Sequence, residues 1–181
     1  EEPVYVCMTS DFFLPEADEW RSEAWAMMRE RQDLSFVIET KREHRFFKAL
    51  PDDWEDGYEN VTILCSVENQ RRADDRIPAF LKLPVRHKGI LCEPLLEKLV
   101  LDAYLKTGEI AQVLCGGEEG ADARVCDFAW VLELMNQCVS CGVTFRFLRT
   151  GTFFRKGNRT YRITEEEQEE QARRAGVDYT P

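Results

Sequence analysis

The sequence predicts one α/β domain with a mainly parallel sheet, and three observations lead to this fold class. Short apolar, strand-like runs alternate with helical patterns along the chain, as in βα units joined by short loops. The strand-like runs are apolar throughout, which is typical of strands covered on both faces. The 181 residues could supply about six βα units, because a full eight-unit barrel needs about 250 residues. An open doubly wound sheet and part of a barrel both fit these observations.

Six segments have the composition of β-strands. Each is short, rich in apolar or β-branched residues, and followed by polar or turn-forming residues. A hairpin is predicted within 152–163, with its turn at Lys156, Gly157 and Asn158. The predicted strands cover residues 4–10, 34–40, 60–67, 87–94, 109–117 and 143–149.

Helix caps mark two of the segments between the strands. Asp127 suits the N-cap of a helix over 128–141, and Gly142 suits the position just after its end. Asn69 can cap a second helix. Pro78 is expected either to break that helix or to start another one. The segment between the fourth and fifth strands, residues 96–105, fits a short strand or a short helix equally well.

Two capping boxes are predicted from their spacing. Thr40 and Glu43 form one before a short helix, and Thr164 and Glu167 form the other at the start of the charged tail. The tail helix is expected to stop at Gly176 and to pack outside the core. The predicted helices cover residues 15–32, 43–50, 70–77, 128–141 and 164–176.

Composition and charge narrow the class of protein. With 44% hydrophobic and 11% aromatic residues, the chain can bury a substantial core. No apolar run approaches the ~20 residues of a membrane span, and the stretch EEPVYVCMTS lacks secretory-signal features. We therefore expect a cytoplasmic protein with no membrane partner. The net charge of −10 disfavours non-specific nucleic-acid binding.

The seven cysteines do not predict a disulfide framework or a zinc site. Four lie in strand-like runs, where a reduced cysteine behaves as a small hydrophobe. Cys138 and Cys141 form a CxxC at a helix end, but the sequence has no second pair and only two histidines, His44 and His87. Buried or half-buried thiols in a reducing compartment are the better interpretation.

Polar residues gather after the predicted strands. The carboxyl ends of parallel strands lie along one edge of a sheet, where α/β enzymes place their sites. Each residue alone has a simpler explanation, because turns and helix caps favour the same residue types. Taken together they predict a ligand-binding rim, in which basic residues could balance the acids. The residues concerned are Asp11, Glu39, Lys41, Glu68, Asn69, Glu93, Gly116, Gly117, Glu118, Glu119, Arg124 and Arg149.

The glycine pair after the fifth run and the basic segment 149–162 also bear on ligand binding. Gly116 and Gly117 could let a ligand approach the backbone, but a tight strand-to-loop turn needs glycine too. Neither GxGxxG nor GxxxxGK[ST] is present, so a dinucleotide or P-loop phosphate site is not expected. The locally basic segment 149–162 could contact nucleic acid, although a solvated hairpin with one aromatic face on the core is the preferred interpretation.

Several motifs together resemble a phage-associated family of uncharacterised proteins that is grouped with radical S-adenosylmethionine enzymes. They occur in the family's order between about residues 4 and 163. The resemblance implies a partial TIM-like (βα) barrel over residues 1–163, with about six parallel strands and a C-terminal hairpin, followed by a charged helical tail over residues 164–181. The motifs are CMTSDFF, the lysine in ETKRE, CSVENQRRADDRIP, LCEPLL, CGGEEGADAR and NQCVSCGVTFRFLRTG.

The resemblance also implies which residues line the cofactor and substrate mouth. Asp11, Lys41 and Arg124 are further candidates at the rim. Two positions depart from the family, because Glu119 stands where a serine is usual and Glu39 where an apolar residue is expected. Both changes add negative charge to the rim. The implied lining residues are Glu68, Asn69, Glu93, Gly116, Gly117 and Glu118.

Family members carry a CxxxCxxC motif upstream of this region, which binds three irons of a [4Fe–4S] cluster. None of the seven cysteines here has that spacing. We therefore expect no cofactor in this chain, and S-adenosylmethionine with a [4Fe–4S] cluster in a longer form of the protein.

The sequence leaves three functional hypotheses. The first is the C-terminal part of a radical-SAM-like enzyme, without iron–sulfur chemistry in this form, that binds a small molecule at the rim. The second is a non-catalytic, phage-derived module that contacts nucleic acid through the basic hairpin. The third is a truncated barrel whose open strand edges drive self-association.

Overall fold

Six parallel strands form the main sheet of the protein, for which a computed structural model describes residues 3–181. The strands are β1 (Val4–Val6), β2 (Phe36–Thr40), β3 (Val61–Ser66), β4 (His87–Cys92), β5 (Ile110–Gly116) and β7 (Thr144–Arg149). Their order in the sheet is β1-β2-β3-β4-β5-β7, so neighbours in space follow one another along the chain. A doubly wound sheet reverses its strand order, and this sheet does not. The prediction of a partial barrel is confirmed, because the sheet curls into half a barrel.

Six α-helices accompany the strands, and the best-predicted one shows why the caps are informative. Asp127 accepts a hydrogen bond from the Ala129 N–H at 2.9 Å, and Gly142 ends the helix with a φ of 65°. Residues 96–105 form no strand and contribute only one short helix at their end. The helices are α1 (Asp18–Glu30), α2 (Phe46–Ala49), α3 (Gln70–Phe80), α4 (Asp102–Leu105), α5 (Phe128–Cys141) and α6 (Glu165–Ala175).

Pro78 and Thr40 do not act as the sequence predicts. Pro78 does not break α3, which continues to Phe80, because its missing N–H removes a single hydrogen bond in the last turn. Thr40 does not cap the helix that follows it. Its hydroxyl donates to Asp11 at 3.0 Å and accepts from the Arg42 N–H at 2.9 Å. A tertiary contact thus uses the hydroxyl that the capping box would have needed.

A second, three-stranded sheet contains the predicted hairpin. It consists of β6 (Cys126–Asp127), β8 (Phe153–Lys156) and β9 (Arg159–Arg162), with β8 and β9 antiparallel. Gly157 has a φ of 60° in the two-residue turn, a conformation that favours glycine. β6 could not be predicted from the sequence, since two residues are too few for a periodic pattern.

The two faces of the main sheet are packed very differently. Alternate strand residues, among them Ile63 and Phe145, join Trp25, Phe80 and other helix residues in one large core on the outer face. On the inner face, Val37, Leu64, Leu91 and Leu114 form a narrow buried strip, with Leu148 packed beside it. The large core therefore lies between the sheet and its helices. The inner face carries only the narrow strip, which ends at the carboxyl ends of the strands.

The C-terminal segment covers one edge of the sheet. Phe145 and Tyr179 exchange backbone hydrogen bonds of 2.9 Å. The side-chain carboxylate of Asp178 accepts a hydrogen bond from the Phe147 N–H at 2.9 Å. Ala172 and Val177 belong to the large core, so the tail is packed into it rather than outside it. The division into domains at residue 163 stays a prediction, as does self-association. Across residues 3–181, no helix has the length and apolar character that crossing a membrane would require.

Candidate functional site

The carboxyl ends of the strands surround two adjoining hollows, which we call the rim cavity. One, of about 390 Å³, lies over the ends of β1 to β4, and the other, of about 310 Å³, extends towards β5 and β7. Met8, Glu39 and Glu93 line both. The volumes are in the range of small-molecule sites, and the position is where α/β folds place them.

Glu93 and Arg149 form the centre of the rim cavity. Glu93 Oε1 lies 2.8 Å from Arg149 Nε, and Arg149 Nη1 lies 2.8 Å from Glu119 Oε1. The Nε contact is close but poorly aligned, so within the described chain this buried N–H has no hydrogen-bond acceptor. Burial raises the pKa of Glu93; Arg149 opposes this, while the charges of Glu39 and Glu119 add to it.

Glu39 adds a further carboxylate to the same cavity. Burial raises the pKa of Glu39, although Lys41 and Arg149 act in the opposite direction. Tyr5 lies on β1, the strand next to β2, where it pairs with Val37. Its pKa is raised because the side chain is partly buried and faces the charges of Glu39 and Glu93. Both raised carboxylate pKa values indicate that positive charge in the cavity does not offset the cost of burying these acids.

The two glycines at the end of β5, Gly116 and Gly117, have distinct steric roles. A β-carbon on Gly116 would collide with the carboxylate of Glu93, so Gly116 leaves the space that Glu93 occupies. A β-carbon on Gly117 would collide with the carbonyl group of Thr150, because two backbone segments pass each other there. The glycine pair thus serves packing first, and through Gly116 it also positions a side chain of the cavity.

A hydrogen-bonded network holds the other side of the rim. Lys41 Nζ lies 2.5 Å from Glu68, and Arg76 lies 3.2 Å from the same carboxylate and 2.6 Å from the Ser66 carbonyl oxygen. Burial would raise the pKa of Glu68, but Lys41 and Arg76 together lower it. Glu68 is therefore a paired carboxylate, unlike Glu93.

Asp11 acts mainly on the loops. It accepts hydrogen bonds from the Thr40 hydroxyl at 3.0 Å, the Lys41 N–H at 2.8 Å and the Phe13 N–H at 2.9 Å. Asp11 therefore ties the segment after β1 to the end of β2. It also lines the first hollow of the rim cavity.

Three of the predicted site residues have local partners. Asn69 caps α3 by accepting a hydrogen bond from the Arg72 N–H at 2.9 Å. Glu118 binds Arg124 through side-chain contacts of 2.6 and 2.8 Å and one backbone contact of 2.7 Å, and these bonds lower the pKa of Glu118 to about 2. Asn69 thus has the simpler role that its residue type suggested.

The structure brings several predicted residues together and adds others. Asp11, Lys41 and Glu93 line the first hollow, and Glu93, Gly117 and Glu118 line the second. Their role as a binding site stays a prediction. Sequence reasoning did not select the lining residues Met8 and Leu91, and at the rim it gave Arg149 no role beyond that of a counter-charge. Strand alternation could have identified Leu91, because it lies two residues before Glu93 on the same face.

Cysteine is not among the residues that line the rim cavity in the described part of the chain. Within residues 3–181, no three histidine, cysteine, aspartate or glutamate side chains are grouped so as to hold a metal ion. Cys92 on β4 lies opposite Cys115 on β5 in the strand register, and both thiols are free. Burial raises the pKa of both. Burial also raises the pKa of Cys138, from the CxxC, to about 12. These thiols remain protonated and act as apolar core residues.

The basic hairpin uses part of its charge internally. Arg155 lies 2.7 Å from Asp127 and its guanidinium stands 5.9 Å from the centre of the Trp130 ring. Phe154 is buried against Phe128 and Phe147. Nucleic-acid binding by this hairpin stays a prediction.

The fold and the rim cavity define an α/β half-barrel with a candidate small-molecule site at the carboxyl ends of its strands. The chain belongs to the family described as protein of unknown function (DUF5131), whose model matches residues 1–179. No curated protein and no solved structure matches it.

Proposed function

We propose that this protein is the ligand-binding part of a phage-associated, radical-SAM-like enzyme, and that its rim cavity binds a small zwitterionic molecule. S-adenosylmethionine is the candidate that the motif resemblance suggests. The observation that carries the proposal is the centre of the cavity, where a largely buried Glu93 shares one guanidinium with Glu119 and lies near Glu39.

The chemistry of these groups supports a ligand with both signs of charge. Partly buried carboxylates need a counter-charge, and Arg149, which also contacts the exposed Glu119, leaves the pKa values of Glu39 and Glu93 raised. A ligand ammonium or sulfonium near Glu39 and Glu93 would supply that charge. The guanidinium of Arg149, whose side chain remains 27% exposed, would then donate to a ligand carboxylate.

S-adenosylmethionine fits this donor set, because it carries an ammonium, a carboxylate and a sulfonium. When bound to radical enzymes it supplies the reactive sulfonium centre. The side chains of this chain would hold its amino-acid part, with Glu39 and Glu93 accepting from the ammonium and Arg149 orienting the carboxylate. A [4Fe–4S] cluster does not fit the described residues, whose buried thiols are protonated and lack the required spacing.

Calorimetric titration of the 181-residue chain tests the proposal. We expect S-adenosylmethionine to bind at least tenfold more tightly than S-adenosylhomocysteine, because the latter lacks the sulfonium charge. The variants Glu93→Gln and Arg149→Gln should each weaken binding at least tenfold, a change of about 1.4 kcal/mol.

Two exposed residues provide matched controls, Glu30→Gln on α1 and Arg71→Gln on α3. Both should leave binding unchanged, because they lie outside the rim cavity. The proposal is overturned if no saturable binding occurs at millimolar S-adenosylmethionine, or if the rim and control variants bind it equally well.

A further inference from the structure

A separate cleft lies between the hairpin and α6, away from the rim cavity. Its volume is about 320 Å³, at the lower end of the range for small-molecule sites. Phe128, Phe154 and Tyr161 contribute aromatic surface, while Lys156 and Arg162 contribute positive charge. The proposed function makes no use of this cleft.

The floor of the cleft is aromatic. Phe154 is buried, and its ring centre lies 5.7 Å from that of Phe128 at an angle of 60°. Tyr161 pairs with Phe154 across the hairpin and remains 38% exposed, with the Arg159 guanidinium 4.8 Å from the centre of its ring. A planar ring inserted here would contact aromatic surface without requiring the core to move.

The cations of the cleft are available to a ligand. In the part of the chain that the structure describes, no carboxylate oxygen lies within 4.0 Å of the charged nitrogens of Lys156 or Arg162. Lys156 Nζ stands 5.2 Å above the Phe128 ring instead. Glu167, the carboxylate of the cleft lining, accepts a hydrogen bond from Thr164 at 3.1 Å.

We propose that this cleft binds a small planar anion, that is, an aromatic ring carrying a phosphate or carboxylate group. The ring would lie against Phe128 and Tyr161, and the anionic group would accept hydrogen bonds from Lys156 and Arg162. A mononucleotide has this chemistry. An extended polyanion fits less well, because the first turn of α6 carries Glu165, Glu166 and Glu167 beside the cleft.

Calorimetric or NMR titration of the full chain with adenosine monophosphate tests this site. We expect saturable binding that is at least tenfold tighter than that of adenosine, which lacks the anion, or of inorganic phosphate, which lacks the ring. The double variant K156Q/R162Q should weaken binding of the nucleotide at least tenfold. The double variant K82Q/K106Q removes the same charge from a distant surface and should bind as the unchanged protein does.

Two comparisons separate this site from the rim cavity and from a nucleic-acid surface. Arg149→Gln should leave binding of adenosine monophosphate unchanged, and K156Q/R162Q should leave binding of S-adenosylmethionine unchanged. Thermal unfolding of each variant checks that it remains folded. Absence of saturable nucleotide binding, or equal binding by K156Q/R162Q, overturns the proposal. It is also overturned if a ten-residue deoxythymidine oligonucleotide binds more than tenfold tighter than the mononucleotide, because the surface would then recognise a polymer.

Discussion

The two faces of the parallel sheet use adjacent residues of the same strands for different purposes. On β3, Ile63 points into the thick core beneath the helices, and Leu64 points into the narrow inner strip. Both side chains are fully buried. The outer face has a layer of helices to pack against, and the inner face has only its neighbouring strands and the rim cavity above them. Stability is thereby concentrated on one face, which leaves the other able to carry buried carboxylates.

The largest expected effect tests this division directly. Replacing Ile63 by alanine should lower the free energy of unfolding by about 4 kcal/mol, because a cavity forms inside the helix-covered core. Replacing Leu64 by alanine should cost only about 2 to 3 kcal/mol, because the strip is thinner and lies below an open cavity. Urea unfolding of the two variants measures both values. An equal or greater loss for Leu64→Ala would contradict the division.

A smaller effect is expected at the two glycines of the rim. Gly117→Ala should lower the free energy of unfolding by about 1 to 3 kcal/mol, because its β-carbon meets the backbone of Thr150. Gly116→Ala should cost less, since the Glu93 side chain can move away. It should, however, shift the pH titration of Glu93 observed by NMR, as the displaced carboxylate leaves its buried position. The interpretation fails if Gly116→Ala is the more destabilising change.

The smallest effects concern pH, and two rim carboxylates should behave in opposite ways. Because the pKa of Glu93 is raised on folding, its contribution to stability is greatest below the ordinary value of 4.5 and is lost as pH rises through the raised pKa. Glu93→Gln should therefore be more stable than the unchanged protein at pH 7, and the difference should vanish below about pH 4.

Glu118 provides the contrast. Its pKa is lowered to about 2, so its contribution is present above 4.5 and is lost as pH falls towards 2. Glu118→Gln should be the less stable protein at pH 7, with the difference vanishing near pH 2. Thermal unfolding between pH 2 and 8 measures both variants. The same sign for the two differences at pH 7 would contradict these pKa shifts.

The sequence predicted the sheet better than it predicted the cavity. Strand identity depends on local composition, and the six parallel strands were found with errors only at their ends, the largest in β1, which stops at Val6. Cap residues such as Asp127 and Asn69 also act locally, so their roles could be read from spacing. Thr40 could not be assigned in this way, because its hydroxyl is used by Asp11 from a distant part of the chain.

Charge pairing was the other feature beyond the reach of sequence. Lys41, Arg124 and Arg149 were all possible counter-charges, but their spacing does not tell which acid each one meets. The structure pairs Glu68 with Lys41 and Glu118 with Arg124, and it makes Arg149 shared between Glu93 and Glu119. The resulting excess of acid at Glu93 and Glu39 follows from these distances and from burial, neither of which composition encodes.

The strand order described above also bears on how the protein folds. Because β1 to β4 each pair with the strand that comes next along the chain, the sheet can grow in the order in which a ribosome makes it. Most sheet contacts then close loops of modest length, which favours rapid folding. The β7 edge differs, since its hydrogen bonds need Tyr179. A nascent chain that has reached residue 150 but not 179 would display an unpaired edge at β7, and an unpaired strand edge is a site at which other chains can pair and aggregate.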